Sequence, residues 1–100
     1  MGSRKVQPVV ADRFAANTRR LREAAGLSQE ELAFRADVHR TQISLIEGGH
    51  RSPRLYTLIK LAGALGASTD DLVSGITWEP FEQRVGGFAV TQAEEGPDGR

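Results

Sequence analysis

Residues 28–54, SQEELAFRADVHRTQISLIEGGHRSPR, encode two short helices with a tight turn between them. Ser28 can accept from the backbone N–H three residues on while Glu31 reaches back, so Ser28-x-x-Glu31 forms a capping box. The box opens a helix on Leu32, Ala33 and Ala36. Asp37 falls where the chain must turn sharply, and aspartate is one of the few residues besides glycine that tolerate a left-handed backbone. Val38 then pins the turn to the core. A second helix is predicted from about Arg40 to Glu47, with Ile43 and Ile46 inward at i, i+3 and Arg40, Thr41, Ser44 and Leu45 outward. Gly48-Gly49 ends it, since glycine accepts the positive φ of a helix C-terminus.

Upstream, Phe14, Thr18, Leu21 and Ala25 recur at helical spacing and predict a helix from about Val10 to Ala25, closed by Gly26. Downstream, Ser52-Pro53 supplies an N-cap and a first-turn proline for a fourth helix, with Leu55, Leu58, Ile59, Ala62 and Leu65 as its buried stripe. A short fifth helix spans about Thr69 to Val73, capped by Ser68 and Asp71 and followed by Gly75. Residues 76–81 and 85–90 hold half of the aromatic side chains in extended-looking pieces around Gly86-Gly87, which predicts a small hairpin or strand arm turning on the two glycines. Residues 1–9 read as a flexible basic arm and residues 91–100 as a disordered acidic tail. The expected fold class is all-α, with five helices over residues 10–75 and an extended or hairpin arm over residues 76–90.

Leu27-Ser28-Gln29-Glu30-Glu31-Leu32-Ala33, Ile43-Ser44-x-Ile46-Glu47-x-Gly49, Ser52-Pro53 and Leu58-x-x-Leu61-Ala62-x-x-Leu65 together resemble the XRE-type helix-turn-helix family of phage repressors and Cro. The resemblance covers roughly residues 10 to 74. It implies a compact five-helix domain whose second and third helices dock on double-stranded DNA, usually as a homodimer on a two-fold-symmetric operator. Spacing alone supports only the helix pair.

Composition is compatible with this reading. A chain of 100 residues with 39% hydrophobic residues buries one modest core. Eleven of the thirteen basic residues are arginine, a bias that suits phosphate recognition but that a GC-rich genome explains better. Net charge is zero, yet residues 1–65 hold eleven Lys/Arg against six Asp/Glu while residues 66–100 hold two against seven. The helical half is therefore basic and the remainder acidic, at +5 and −5. Absence of cysteine, of a signal-peptide pattern and of a membrane-length apolar run fits a cytoplasmic protein without membrane contact, and the DNA-binding resemblance implies that it is nucleoid-associated. No nucleophile elbow, phosphate loop or paired-carboxylate site is present, so an enzyme is not expected. His39 and His50 without cysteine make no metal set, and no cofactor is implied.

The resemblance assigns candidate DNA contacts. Gln29, opening the first helix of the pair, matches a position that bonds a phosphate through its amide. Arg40 begins the outward face of the second, where a guanidinium can bond guanine O6 and N7 together; a phosphate contact competes. Thr41 and Ser44 suit a base edge or phosphate, and Leu45 a thymine methyl. His39 stands where the family usually has a Ser or Thr N-cap and is expected at phosphate, with Arg13, Arg51 and Arg54 as further phosphate clamps. Arg22 and Glu47 match positions that in several family members form an internal salt bridge. Asn17 and Arg20 are expected on a solvated helix face, a phosphate contact being the alternative. Trp78 and Phe81 are expected to fold back over their own core, the alternatives being dimerisation or capture of a partner protein through residues 76–90, as in an antitoxin.

Overall fold

The computed structural model describes residues 8–80 and 86–91. Five helices come first in the chain, α1 (Pro8–Ala24), α2 (Gln29–Ala36), α3 (Arg40–Glu47), α4 (Leu55–Leu65) and α5 (Thr69–Leu72). Two strands, β1 (Ile76–Glu79) and β2 (Gly87–Val90), follow them. Local chemistry sets most of the boundaries. Both reciprocal capping boxes form, Ser28 with Glu31 and Ser68 with Asp71. Asp37 adopts φ 56°, ψ 48°, and it is the only non-glycine residue with positive φ among those described. Its left-handed backbone lets α3 leave at a sharp angle from α2, and Val38 N–H closes the turn on the carbonyl of Ala33.

Phe14, Leu27, Leu32, Ala36, Ile43, Ile46, Leu61 and Leu72 form the buried centre, with Val38, Leu58, Leu65, Val73 and Ile76 packed around it. The helices after α1 are each too short to persist alone, so burial of these stripes holds them. α3 packs on both α1 and α2, which leaves its remaining face to solvent.

Several expectations are corrected. α1 starts two residues early, because Pro8 suits a first helical turn that needs no N–H. Its buried side is Ala11, Phe14, Ala15 and Thr18, and Ala25 lies outside it. Asn17 is not on a solvated face: it is 3% exposed, and its Nδ2 donates to the carbonyls of Leu72 (2.9 Å) and Ser74 (3.0 Å). Ser52-Pro53 does not open α4. Arg54 is the N-cap, without a side-chain bond, and the first turn closes from Leu58 N–H to the carbonyl of Arg54. Leu55 and Ile59 are 66% and 53% exposed, because the core has room only for the side of α4 carrying Leu58, Leu61, Ala62 and Leu65.

The strands pair antiparallel, Ile76 with Val90 and Trp78 with Phe88. Gly86-Gly87 is not the turn; Gly87 already pairs with Glu79 at the start of β2. Ile76 joins the core, whereas Trp78 does not fold back: it is 54% exposed and meets Phe88 edge-on at 5.1 Å. Period-two alternation puts Ile76 and Trp78 on one face, and the short strand carries Trp78 past the helices. The position expected for Phe81 lies outside the described residues, as do most of the basic arm and acidic tail. The Arg13 guanidinium donates to the Thr91 carbonyl and lies over Gly75, whose φ of 85° and lack of Cβ admit it, so α1 ties down the base of the hairpin.

Replacing Asn17 with alanine strands two carbonyls inside the fold. A loss of about 2 kcal/mol is expected for Asn17→Ala in urea denaturation, against less than half that for the exposed Arg20→Ala.

Candidate nucleic-acid interface

α3 divides cleanly into two sides. Ile43, Ile46 and Glu47 are buried, while Arg40, Thr41 and Ser44 are exposed and make no side-chain hydrogen bond or ion pair among the described residues. Leu45, expected outward, is half-buried. At the start of the helix His39 is the N-cap, and its Nδ1 accepts from Thr41 N–H at 3.5 Å, a long bond in which imidazole replaces the usual hydroxyl.

Rotation of α3 is set by the one buried carboxylate. Glu47 is 3% exposed, and its two oxygens receive Nε (2.7 Å) and Nη2 (2.9 Å) of Arg22 side-on. Gln29 Nε2 adds a third bond to Oε1 at 3.1 Å. Arg22 Nη1 extends the network to the Leu27 carbonyl (2.8 Å), and Arg19 Nη2 reaches the Glu47 carbonyl (2.7 Å). Hydrogen bonding to Glu47 raises the Arg22 guanidinium above its ordinary value against the opposing effect of burial. The end of α1, the α1–α2 turn, the start of α2 and the end of α3 are thereby joined at one point.

The helix-turn-helix family profile matches residues 19–72, which include every member of this network and the exposed α3 face. The chain belongs to the helix-turn-helix family. Similarity extends to an HTH-type transcriptional regulator, y4dJ, of Sinorhizobium fredii, 41% identical over 68 residues that are 68% of this chain and 88% of that protein. Control protein C.BamHI of Bacillus amyloliquefaciens is 40% identical over 72 residues, covering 71% of this chain and 89% of its own length. In structure, the restriction-modification controller protein C.AhdI from Aeromonas hydrophila superimposes with a TM-score of 0.60 at 39% identity, over 62% of this chain and 94% of that one. The family consists of DNA-binding transcription regulators, not enzymes.

Within this helix-turn-helix, the residues predicted to contact DNA fall into distinct environments. Arg40, Thr41 and Ser44 form one exposed stripe, with His39 at its head. Arg51 and Arg54 are exposed on the segment after α3 and have no side-chain partner among the described residues. Gln29 is half-buried with one amide N–H committed to Glu47, which leaves its second N–H for another acceptor. Arg13 is directed to the hairpin through Thr91. Sequence reasoning missed Arg19 as a partner of Glu47, although Arg19 and Arg22 stand at i, i+3 and share a helix face. Among the described residues no three His, Asp or Glu side chains converge on a metal site, and no helix is long and apolar enough to cross a membrane.

Removing one partner of the ion pair leaves the other charge buried. Glu47→Ala is expected to destabilise the fold by roughly 3–5 kcal/mol, whereas Arg22→Met with Glu47→Leu recovers much of that loss, as read by thermal melting of the single and double variants.

The Glu31 carboxylate accepts from Ser28 and is held below the usual glutamate range by that bond. Its stabilising effect is therefore complete above the ordinary glutamate value and disappears as pH falls through the depressed folded value. Glu31→Gln should flatten the acid side of the melting-temperature profile over that window, by lowering the melting temperature at neutral pH while leaving it little changed below the window.

Proposed function

We propose that the chain is a sequence-specific transcriptional repressor that binds a palindromic operator as a homodimer, with α3 of each copy in a major groove. The observation that carries this reading is the exposed stripe of Arg40, Thr41 and Ser44 on a helix whose opposite side is locked by Ile43, Ile46 and Glu47. In this reading Arg40 bonds guanine O6 and N7, Thr41 and Ser44 meet base edges, and the half-buried Leu45 borders a thymine methyl. Gln29, through its uncommitted N–H, His39, Arg51 and Arg54 bond phosphates on either side of the groove and fix register. The names of the relatives, a transcriptional regulator and a control protein, favour regulation over other uses of the fold. Occlusion of a promoter is the mechanism, in the cytoplasm at the nucleoid.

Two-fold pairing has its own support. Leu55, Tyr56 and Ile59 lie adjacent on the outer side of α4, each more than half exposed, and Gly63 one turn on has open space where a side chain would stand. A second copy packed there would cover apolar surface that the monomer leaves wet, and would hold two α3 helices for half-sites about 10 bp apart.

A second reading rests on the hairpin, which lies beyond the family match and exposes the Trp78–Phe88 pair. Aromatic anchors of this kind suit a protein partner, with DNA binding retained for autoregulation. Trp78→Ala with Phe88→Ala removes the anchors while leaving Ile76 in the core. Loss of a co-purifying partner with operator affinity intact would favour this second reading.

Selection of duplexes from a random pool at physiological salt tests the leading proposal. Wild type should enrich a palindrome, and Arg40→Ala should weaken its guanine preference by about 1–3 kcal/mol at one position per half-site. Affinity should also fall with salt by roughly 0.9 log units per neutralised phosphate per decade. An operator affinity indifferent to salt would remove the phosphate contacts from the proposal.

A further inference from the structure

We propose that His50 supplies an additional phosphate contact at the far end of the reading face, standing where a side chain at position 48 would be. The inference rests on the DNA-reading function proposed above and adds a residue to it. Positions 40, 44 and 48 follow one another at four-residue intervals, so Arg40 and Ser44 begin a line that Gly48 would continue. Gly48 has no side chain, and its φ of −86° and ψ of −1° are ordinary for any residue, so the backbone does not demand glycine there.

What fills the position is imidazole. A Cβ placed on Gly48 would lie 2.8 Å from His50 Cδ2 and 3.2 Å from Nε2. The backbone N–H of His50 donates to the Leu45 carbonyl at 2.9 Å, which turns residue 50 back along the last turn of α3. Its side chain is exposed and has no hydrogen bond or ion pair among the described residues. The reading line thus consists of guanidinium, hydroxyl and imidazole, the third delivered from outside the helix.

Position along the helix selects the kind of contact. Base edges are read from the N-terminal part of a recognition helix, so a donor past its C-terminus meets the sugar-phosphate backbone. That end also carries the negative pole of the helix dipole, which disfavours a phosphate unless a donor intervenes. An imidazole N–H is such a donor, and exposed Arg51 follows it directly.

The test uses the duplex selected by wild type, together with the same duplex exchanged at each base pair of one half-site. Affinities are compared for wild type, His50→Ala, His50→Gln, Gly48→Ala and the double variant Gly48→Ala/His50→Ala, with melting temperatures checking that each is folded. His50→Ala should weaken every duplex by a similar factor, about three- to tenfold, and His50→Gln, which keeps an N–H donor, should lose less. Gly48→Ala displaces the ring without removing it, so it should weaken binding too, and the double variant should be no weaker than His50→Ala alone. Wild-type affinity for all duplexes in folded His50→Ala would overturn the proposal, as would a loss confined to one base pair, which would make His50 a base reader. If wild type binds no duplex, the DNA-reading function itself fails; if wild type binds and His50→Ala matches it, only this inference does.

Discussion

Burial of the Glu47 carboxylate constrains the rest of the helix-turn-helix. A charge 3% exposed in so small a core must be met by donors, and Arg22 and Gln29 come from two different elements to meet it. α3 has only eight residues, far too few to hold a helix or an orientation by itself. Ile43 and Ile46 press it against the core, but apolar contacts tolerate rotation about the helix axis. A side-on guanidinium–carboxylate pair does not, because both oxygens must be reached at once. Replacement by well-packed apolar residues can match such a pair in stability. What the ion pair adds here is angular definition, carried through the helix to Arg40, Thr41 and Ser44 on its other side.

α1 has a second organising role through its polar side chains. Arg19 and Arg22 reach the end of α3, Asn17 holds the exit from α5, and Arg13 holds the base of the hairpin. Asp12 also stands beside Gly49, whose φ of 77° disfavours a side chain there. One helix thus touches the end of α3, the exit from α5 and the base of the strands. Its apolar face supplies burial, and its polar groups decide how neighbouring ends are placed.

Local chemistry was legible in the sequence, and competition for the core was not. The Ser28 and Ser68 caps, the left-handed Asp37 and the inward Ile43 and Ile46 depend on residues within one or two turns, so spacing suffices to read them. Leu55 and Ile59 look as apolar as Leu58 and Leu61, and only the packing of α4 on α2 and α5 decides that the first two stay outside. Asn17 was misread for the converse reason. Its partners are carbonyls 55 and 57 residues away, and no periodicity announces them. At the interface, the exposure of Arg40, Thr41 and Ser44 follows from helical phase. The Arg22–Glu47 assignment came from resemblance, while the pull of Glu47 on Gln29 and the return of His50 over Gly48 required coordinates.

The hairpin contains the chain's single tryptophan, and among the described residues that ring meets Phe88 edge-on and lies close to Gly86. Intrinsic fluorescence therefore reports on the two strands, whereas circular dichroism near 222 nm is dominated by the helices. The same molecule carries two optical reporters on its two parts, joined mechanically at Arg13, Gly75 and Thr91. Coincident signals would describe a hairpin that melts as part of the helical domain; separated signals would describe an appendage with a stability of its own, whose free energy is the difference available to anything that binds it.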